Sequence, residues 1–154
     1  MQAQQTNRAA APGALDAGTS RRALVLVVDD DAAIRGTVAD ILELEDYAVT
    51  QAMHGEAALA ALDELAERGA APDAILLDMR MPVMDGWEFA RRYHERSGAH
   101  APIVVMTAAR DAGQWGGEVG AAATLGKPFG LEELLAVVER LTSGNSGSRT
   151  ARAA

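Results

Sequence analysis

Three acidic residues, Asp29, Asp30 and Asp31, stand together directly after the apolar run ALVLVV at 23–28. A second apolar run, DAILL at 73–77, ends in Asp78. A third, PIVVM at 102–106, is followed by Thr107, and a short run at 123–125 leads through Gly126 to Lys127 and Pro128. Taken singly these residues have ordinary readings: Asp29-Asp30-Asp31 is a solvated turn with a helix cap, Asp78 a turn residue, Thr107 a strand-end hydroxyl, Lys127-Pro128 a turn. Taken together at the ends of neighbouring strands they point to chemistry. Carboxylates converging to about 4 to 6 Å raise one another's pKa and strain the fold unless a cation sits among them. Magnesium suits such a site, because it takes oxygen ligands and is held by one or two carboxylates plus a phosphate oxygen. Asp78 can then act as a nucleophile towards a phosphoryl group and form an acyl phosphate. An ammonium and a hydroxyl, Lys127 and Thr107, would neutralise the oxygens of the loose transition state beside the metal. Lys127 is the only Lys among 14 basic residues. That is either chance in an Arg-biased composition or a position that needs a compact point charge rather than a planar fork.

The elements that must position these groups alternate along the chain. Ala23–Val28 reads as a strand buried on both faces, and Ile34, Val38, Ile41 and Leu42 recur at helical spacing up to about Asp46. Tyr47–Met53 alternates like a flanking strand, and Ala57, Ala58, Ala61, Leu62 and Leu65 form a second helical stripe that stops near Gly69. Asp73–Leu77 is a third strand, 86–96 a helix with Phe89, Ala90 and Tyr93 on one side, Pro102–Met106 a fourth strand and Ala123–Leu125 a short fifth. Leu131–Leu141 is a clear amphipathic helix. Strand and helix alternating five times with short connections predict a parallel sheet covered by helices on both faces. Right-handed crossovers allow a doubly wound order, in which the functional site lies outside the carboxyl ends of the strands.

Composition sets the limits. The chain has 154 residues, 49% of them hydrophobic but only 4% aromatic, so Ala, Val, Leu and Ile must fill one core. No apolar run is long enough to span a membrane, and zero Cys excludes disulfides, thiolate metal sites and thiol nucleophiles. A soluble protein of a reducing cytoplasm is the expectation. Net charge is −8 overall. Residues 1–22 and 143–154 are each net positive, so the stretch between them carries −12 and would repel a nucleic-acid backbone. Both ends are rich in small and polar residues and are expected to be disordered, leaving a single domain at 23–142.

LVLVVDDD at 24–31, ILLDMRMPVMDGWE at 75–88, PIVVMTA at 102–108 and GKPF at 126–129 together resemble the receiver domain of bacterial two-component response regulators. Four separated motifs in one order make the resemblance specific, and it covers about residues 23–142. It implies an α/β, flavodoxin-like, doubly wound five-stranded parallel sheet in the order 2-1-3-4-5. It also implies that Asp78 is the phosphoacceptor, that Asp30 and Asp78 are Mg2+ ligands with Asp29 reaching the ion through water, and that the third ligand is the backbone carbonyl of Arg80. Thr107 resembles the switch hydroxyl and Lys127 the family's ammonium, with Ala108 and Pro128 in support, Pro128 usually through a cis bond. The implied partners are a histidine kinase or phosphotransfer protein and a downstream protein. With about 12 residues after the last helix, the expectation is a single-domain regulator whose output goes through protein contacts. Arg80 and Ala109 occupy the positions that tune loss of the phosphoryl group, and Arg80 could lie across the phosphoryl oxygens as a lid.

The sequence departs from the family at two places. The position three residues before the lysine, commonly an aromatic switch, is Thr124. The expected fourth helix, 110–120, carries Gly113, Gly116, Gly117 and Gly120, which predicts a short or mobile helix. Trp115 within it is a core anchor or a partner contact. Trp87 packs with the third helix, and His54, His94 and His100 read as solvated. Two other functions stay open. A Mg2+-dependent phosphatase of haloacid-dehalogenase type would use Asp29 or Asp30, Thr107 and Lys127, but gives Asp78 no role. A receiver-like scaffold without phosphorylation would explain Thr124 but not the complete acceptor set.

Overall fold

A computed structural model describes the backbone of residues 22–153 and the side chains up to Ser143. The extension expected over 1–22 lies outside the described residues except for Arg22. The elements in chain order are β1 (Leu24–Val28), α1 (Ala32–Leu44), β2 (Ala48–Ala52), α2 (Gly55–Glu67), β3 (Ala74–Asp78), α3 (Gly86–Glu95), β4 (Ile103–Ala108), α4 (Ala109–Val119), β5 (Ala123–Lys127) and α5 (Leu131–Ala153). The strands form one sheet in the order β2-β1-β3-β4-β5, and every pairing is parallel. This is the doubly wound 2-1-3-4-5 arrangement that the alternation and the motifs predict.

Unbroken apolar runs make the central strands because both faces of a parallel sheet are covered. Leu26, Val28, Ile75, Leu77, Ile103 and Val105 face one layer of helices, where they meet Ala58 and Leu62 of α2, Phe89 and Tyr93 of α3 and Val119 of α4. Val25, Val27, Leu76, Val104 and Met106 face the other layer, with Val38 and Leu42 of α1 and Leu134 and Val138 of α5. Residues one apart along a strand thus belong to opposite cores, as the strand's twofold alternation requires. The helix starts are fixed locally. Asp31 caps α1 by accepting from the backbone N–H groups of Ala33 and Ile34, and Asp85 caps α3 by accepting from Glu88. His54, read as solvated, caps α2 through Nδ1, which accepts from the Ala57 N–H at 3.1 Å.

One expectation is corrected. The glycine-rich fourth helix is not short: α4 runs through Ala109–Val119 and buries Ala112, Gly116 and Val119. Packing overrides propensity here. A Cβ on Gly116 would stand 2.5 Å from Thr124 Cγ2, so this glycine lets α4 close onto β5. The backbone of the last helix runs to Ala153, past the Leu141 to which the amphipathic pattern extends. A helix already nucleated against the sheet extends at little cost. At its last buried turn Thr142 Oγ1 donates to the Val138 carbonyl and Ser143 Oγ to that of Glu139. The fifth strand also extends two residues past Leu125, ending on Lys127.

The glycines of α4 separate propensity from packing. Gly113 has nothing within 4 Å of a built Cβ, so Gly113→Ala is expected to stabilise the fold by about 0.5–1 kcal/mol. Gly116→Ala should instead destabilise it, and adding Thr124→Ser, which removes the obstructing methyl, should recover the loss. Urea unfolding midpoints of the three variants check this.

Candidate functional site

The carboxyl ends of β1, β3, β4 and β5 deliver one polar pocket. Val28 pairs with Leu77, so Asp29 and Asp78 follow on neighbouring strands. Asp78 pairs with Met106, and Ala108 with Lys127. Asp29 is fully buried, Asp78 and Thr107 nearly so, and Asp30 is exposed at the rim. Carboxylate oxygens of Asp29, Asp30 and Asp78 all lie within 4.8 Å of one another. Lys127 Nζ bridges two of them, at 2.9 Å from Asp29 Oδ2 and 3.5 Å from Asp78 Oδ1. The Lys127-Pro128 peptide is cis.

Each group is held from behind. Asp29 Oδ1 accepts from the Asp31 N–H at 2.9 Å, and Arg35 donates to the Asp29 backbone carbonyl at 2.7 Å, which fixes the turn into α1. Asp78 Oδ1 accepts from the Met79 N–H. The Gly86 of the MDG motif is needed for room, since a Cβ there would stand 2.8 Å from the Asp78 carbonyl oxygen. Gly126 plays the same part on the other side, where a Cβ would fall 2.7 Å from Ala109. Strand ends and the first helical turns after them therefore pack without side chains between them.

Electrostatics follow from this crowding. Burial pushes the Asp78 carboxyl up from 3.8 to about 7, the Asp29 charge adds to the rise, and Lys127 opposes it. Burial works against the Lys127 ammonium, but its bond to Asp29 and the charges of Asp78 and Asp29 outweigh it and raise its pKa. The pocket thus has one half-buried cation shared between two carboxylates and a third carboxylate facing solvent. Three carboxylate oxygens at this spacing, one of them open to water, suit a hard divalent ion that keeps part of its hydration shell.

The structure gathers Asp29, Asp30 and Asp78 within 4.8 Å of one another with Lys127 on two of them, sets Thr107 and Ala108 on the adjoining strand end, and puts Ala109 and Pro128 directly after the strands. Arg80 is different. Its guanidinium lies over Trp115, with Cζ 5.0 Å from the ring centroid, and not across the acceptor. Trp115 is half-buried against the core and meets Trp87 edge to face at 5.0 Å. His100 meets both His94 and Tyr93 edge to face near the end of α3, and His94 lies tilted against Tyr93. Sequence reasoning missed Arg35, whose signal is only its one-turn offset from the acidic cluster, and missed the Arg80–Trp115 pair, which has no local signal. Asp78 lies at the centre of the pocket, a place the dehalogenase-type reading leaves without a role.

Fold and pocket together define a doubly wound α/β module with an acidic, lysine-bridged site at its carboxyl edge. A family model described as the response regulator receiver domain matches residues 25–139, and the chain belongs to that family. It is 40% identical over 119 residues to the response regulator MprA of Mycobacterium sp. (strain KMS), covering 76% of this chain and 49% of that protein. The MprA of Mycobacterium bovis (strain BCG / Pasteur 1173P2) matches to the same extent. The chain therefore spans about half the length of the curated relatives it matches. Among solved structures, the chemotaxis response regulator CheY4 of Vibrio cholerae superposes with a TM-score of 0.66 at 37% identity, covering 77% of this chain and 98% of that one. A putative response regulator from Chloroflexus aurantiacus gives 0.69 at 29% identity, covering 80% and 99%. No helix among the described residues is long and apolar enough to cross a membrane.

The raised Asp78 carboxyl has a stability consequence. The unfolded chain titrates near 3.8 and the folded one near 7, so across that window the folded state holds the extra proton and stability falls as pH rises. In buffer free of divalent ions, Asp78→Asn is expected to melt higher than wild type at pH 8. The difference should shrink as pH falls through the window and vanish near its lower end. Melting temperatures of both proteins from pH 4 to 8 check the sign.

Proposed function

We propose that this receiver domain is a phosphoacceptor whose acceptor is Asp78. The supporting observation is the single ammonium of Lys127 shared between Asp29 and Asp78, which holds a nearly buried carboxylate at a pocket mouth beside an exposed acid. The donor is a phosphohistidine on a kinase or phosphotransfer protein. An Asp78 carboxylate oxygen attacks phosphorus, the P–N bond breaks, and its electron pair leaves on the imidazole, which takes up a proton. Asp30 and Asp78 would hold Mg2+ directly, Asp29 through water, and the Arg80 backbone carbonyl would add a ligand. When bound, the ion supplies positive charge to the carboxylates and to the transferring phosphoryl oxygens. Lys127 can move its second contact from the Asp78 carboxylate to a phosphoryl oxygen while keeping Asp29. Thr107, at the end of the adjacent strand, would donate its hydroxyl to another. Signalling then passes through contacts with a further protein, and turnover is set at Arg80 and Ala109.

Incubation with acetyl phosphate and Mg2+ is expected to add one phosphoryl group, seen by intact mass, and Asp78→Asn should remove the addition. Undiminished labelling of that variant would reject Asp78 as acceptor. Mg2+ alone should stabilise the protein, by about 2.7 kcal/mol at a hundred times its dissociation constant. A chelator titration followed by melting temperature measures this, and the Asp78→Asn and Asp30→Asn variants should gain less.

A further inference from the structure

The contact between Arg80 and Trp115 joins the acceptor loop to α4, and it continues beyond the two residues. Arg80 lies over the Trp115 ring, Trp115 meets Trp87 of α3 edge to face, and Trp87 Nε1 donates to Glu118 Oε1 of α4 at 2.8 Å. Glu118 in turn accepts from Gln114 Nε2 at 3.1 Å. One side-chain chain therefore runs from two residues past Asp78 to two turns of α4. Both Trp residues of the protein belong to it.

The helix it secures packs Ala112, Gly116 and Val119 inward, but little in its own sequence favours it. The residue before α4, Ala108, makes no side-chain cap, and Gly113, Gly116 and Gly117 lower the helix's own propensity. The alternative path from the pocket to α4, along β5, is closed to a ring. Position 124 holds a Thr whose methyl already occupies the place of a Gly116 Cβ. Among the holds on α4, the one through Trp115 carries a cation.

We infer that Arg80 is the element that senses phosphorylation and that Trp115 is its seat in the unmodified protein. This rests on Asp78 being the acceptor. Two residues of chain span at most about 7 Å, and the flexible Arg stem adds to that reach. Phosphorylation adds negative charge and three strong acceptor oxygens beside the loop. A guanidinium bonded to phosphoryl oxygens outweighs a half-exposed contact with a ring face. Arg80 therefore leaves Trp115 for the phosphoryl group, and α4 loosens against α3. The surface that reports phosphorylation is α4 around Trp87 and Trp115, reached from the acceptor loop and not from position 124.

The test reads the acceptor and the sensor separately. Intact mass gives the phosphorylated fraction, Trp emission reports the cluster, and backbone hydrogen exchange over 109–119 reports α4. In the wild type, phosphorylation with acetyl phosphate and Mg2+ should shift Trp emission and speed α4 exchange by about two- to fivefold, the scale of one exposed cation–ring contact. In Arg80→Gln, at equal phosphorylated fraction, α4 should already exchange at the faster rate and neither signal should respond further. Arg80→Lys, which restores the charge, should recover part of the response. A phosphorylated wild type with unchanged emission and exchange would overturn the sensor while leaving Asp78 as acceptor, and so would an Arg80→Gln response equal to the wild type's. Absence of the added mass in the wild type would overturn both.

Discussion

The structure turns on one electrostatic constraint: acids gathered at the carboxyl edge of a parallel sheet, with one ammonium to hold them. Asp29 and Asp78 are adjacent because β1 and β3 are neighbours in the sheet. The charge that offsets them comes from β5, two strands further on and 98 residues away from Asp29 in sequence. A doubly wound order is what makes this meeting possible, since strand ends far apart in the chain finish on one edge. The rest of the fold can be understood as the frame that keeps the four groups at that edge. Two continuous apolar layers fix the strands, and short loops leave the charged ends little freedom to separate.

The same constraint explains why the one basic residue in the pocket is a Lys in a chain that otherwise uses Arg. A single nitrogen sits 2.9 Å from one carboxylate and 3.5 Å from another. A planar guanidinium prefers to pair both its donors with one carboxylate, which would leave the other buried acid unpaired. Close approach matters as much as charge. Gly86 and Gly126 admit backbone from neighbouring elements at distances no Cβ would tolerate, and these contacts bring the loop after β3 and the start of α4 against the site.

Much of this was legible before any coordinates. Strands buried on both faces appear as unbroken apolar runs, so the residue that follows each run marks the sheet edge. Asp29, Asp78, Thr107 and Lys127 could therefore be placed on one edge from the sequence. What escaped depends on distance in space. The glycines of α4 predict weakness when judged by propensity, yet Gly116 is there because β5 lies against it, and no local pattern records that contact. His54 appears as a lone surface imidazole until the Ala57 N–H is seen pointing at its Nδ1. Arg80 and Trp115 lie 35 positions apart, and only the packing of α4 beside α3 brings the ring under the guanidinium.

Two of these misses, the α4 glycines and the Arg80–Trp115 pair, share a location, and the location carries meaning. Helices α1, α2 and α3 each begin with a side-chain cap, from Asp31, His54 and Asp85. Helix α4 begins with Ala108 and has none. Stability in a folded domain is unevenly shared, and the elements that move are drawn from its weaker end. In this protein the uncapped, glycine-bearing helix is also the one that starts two residues after Thr107, at the pocket itself. Its anchorage is of two kinds: apolar packing through Ala112, Gly116 and Val119, which is indifferent to charge, and the Arg80–Trp115–Trp87 group, which contains a cation beside an acidic site. Only the second can respond to a change of charge at Asp78, so the direction in which a signal leaves the pocket is set by which of α4's two holds is electrostatic.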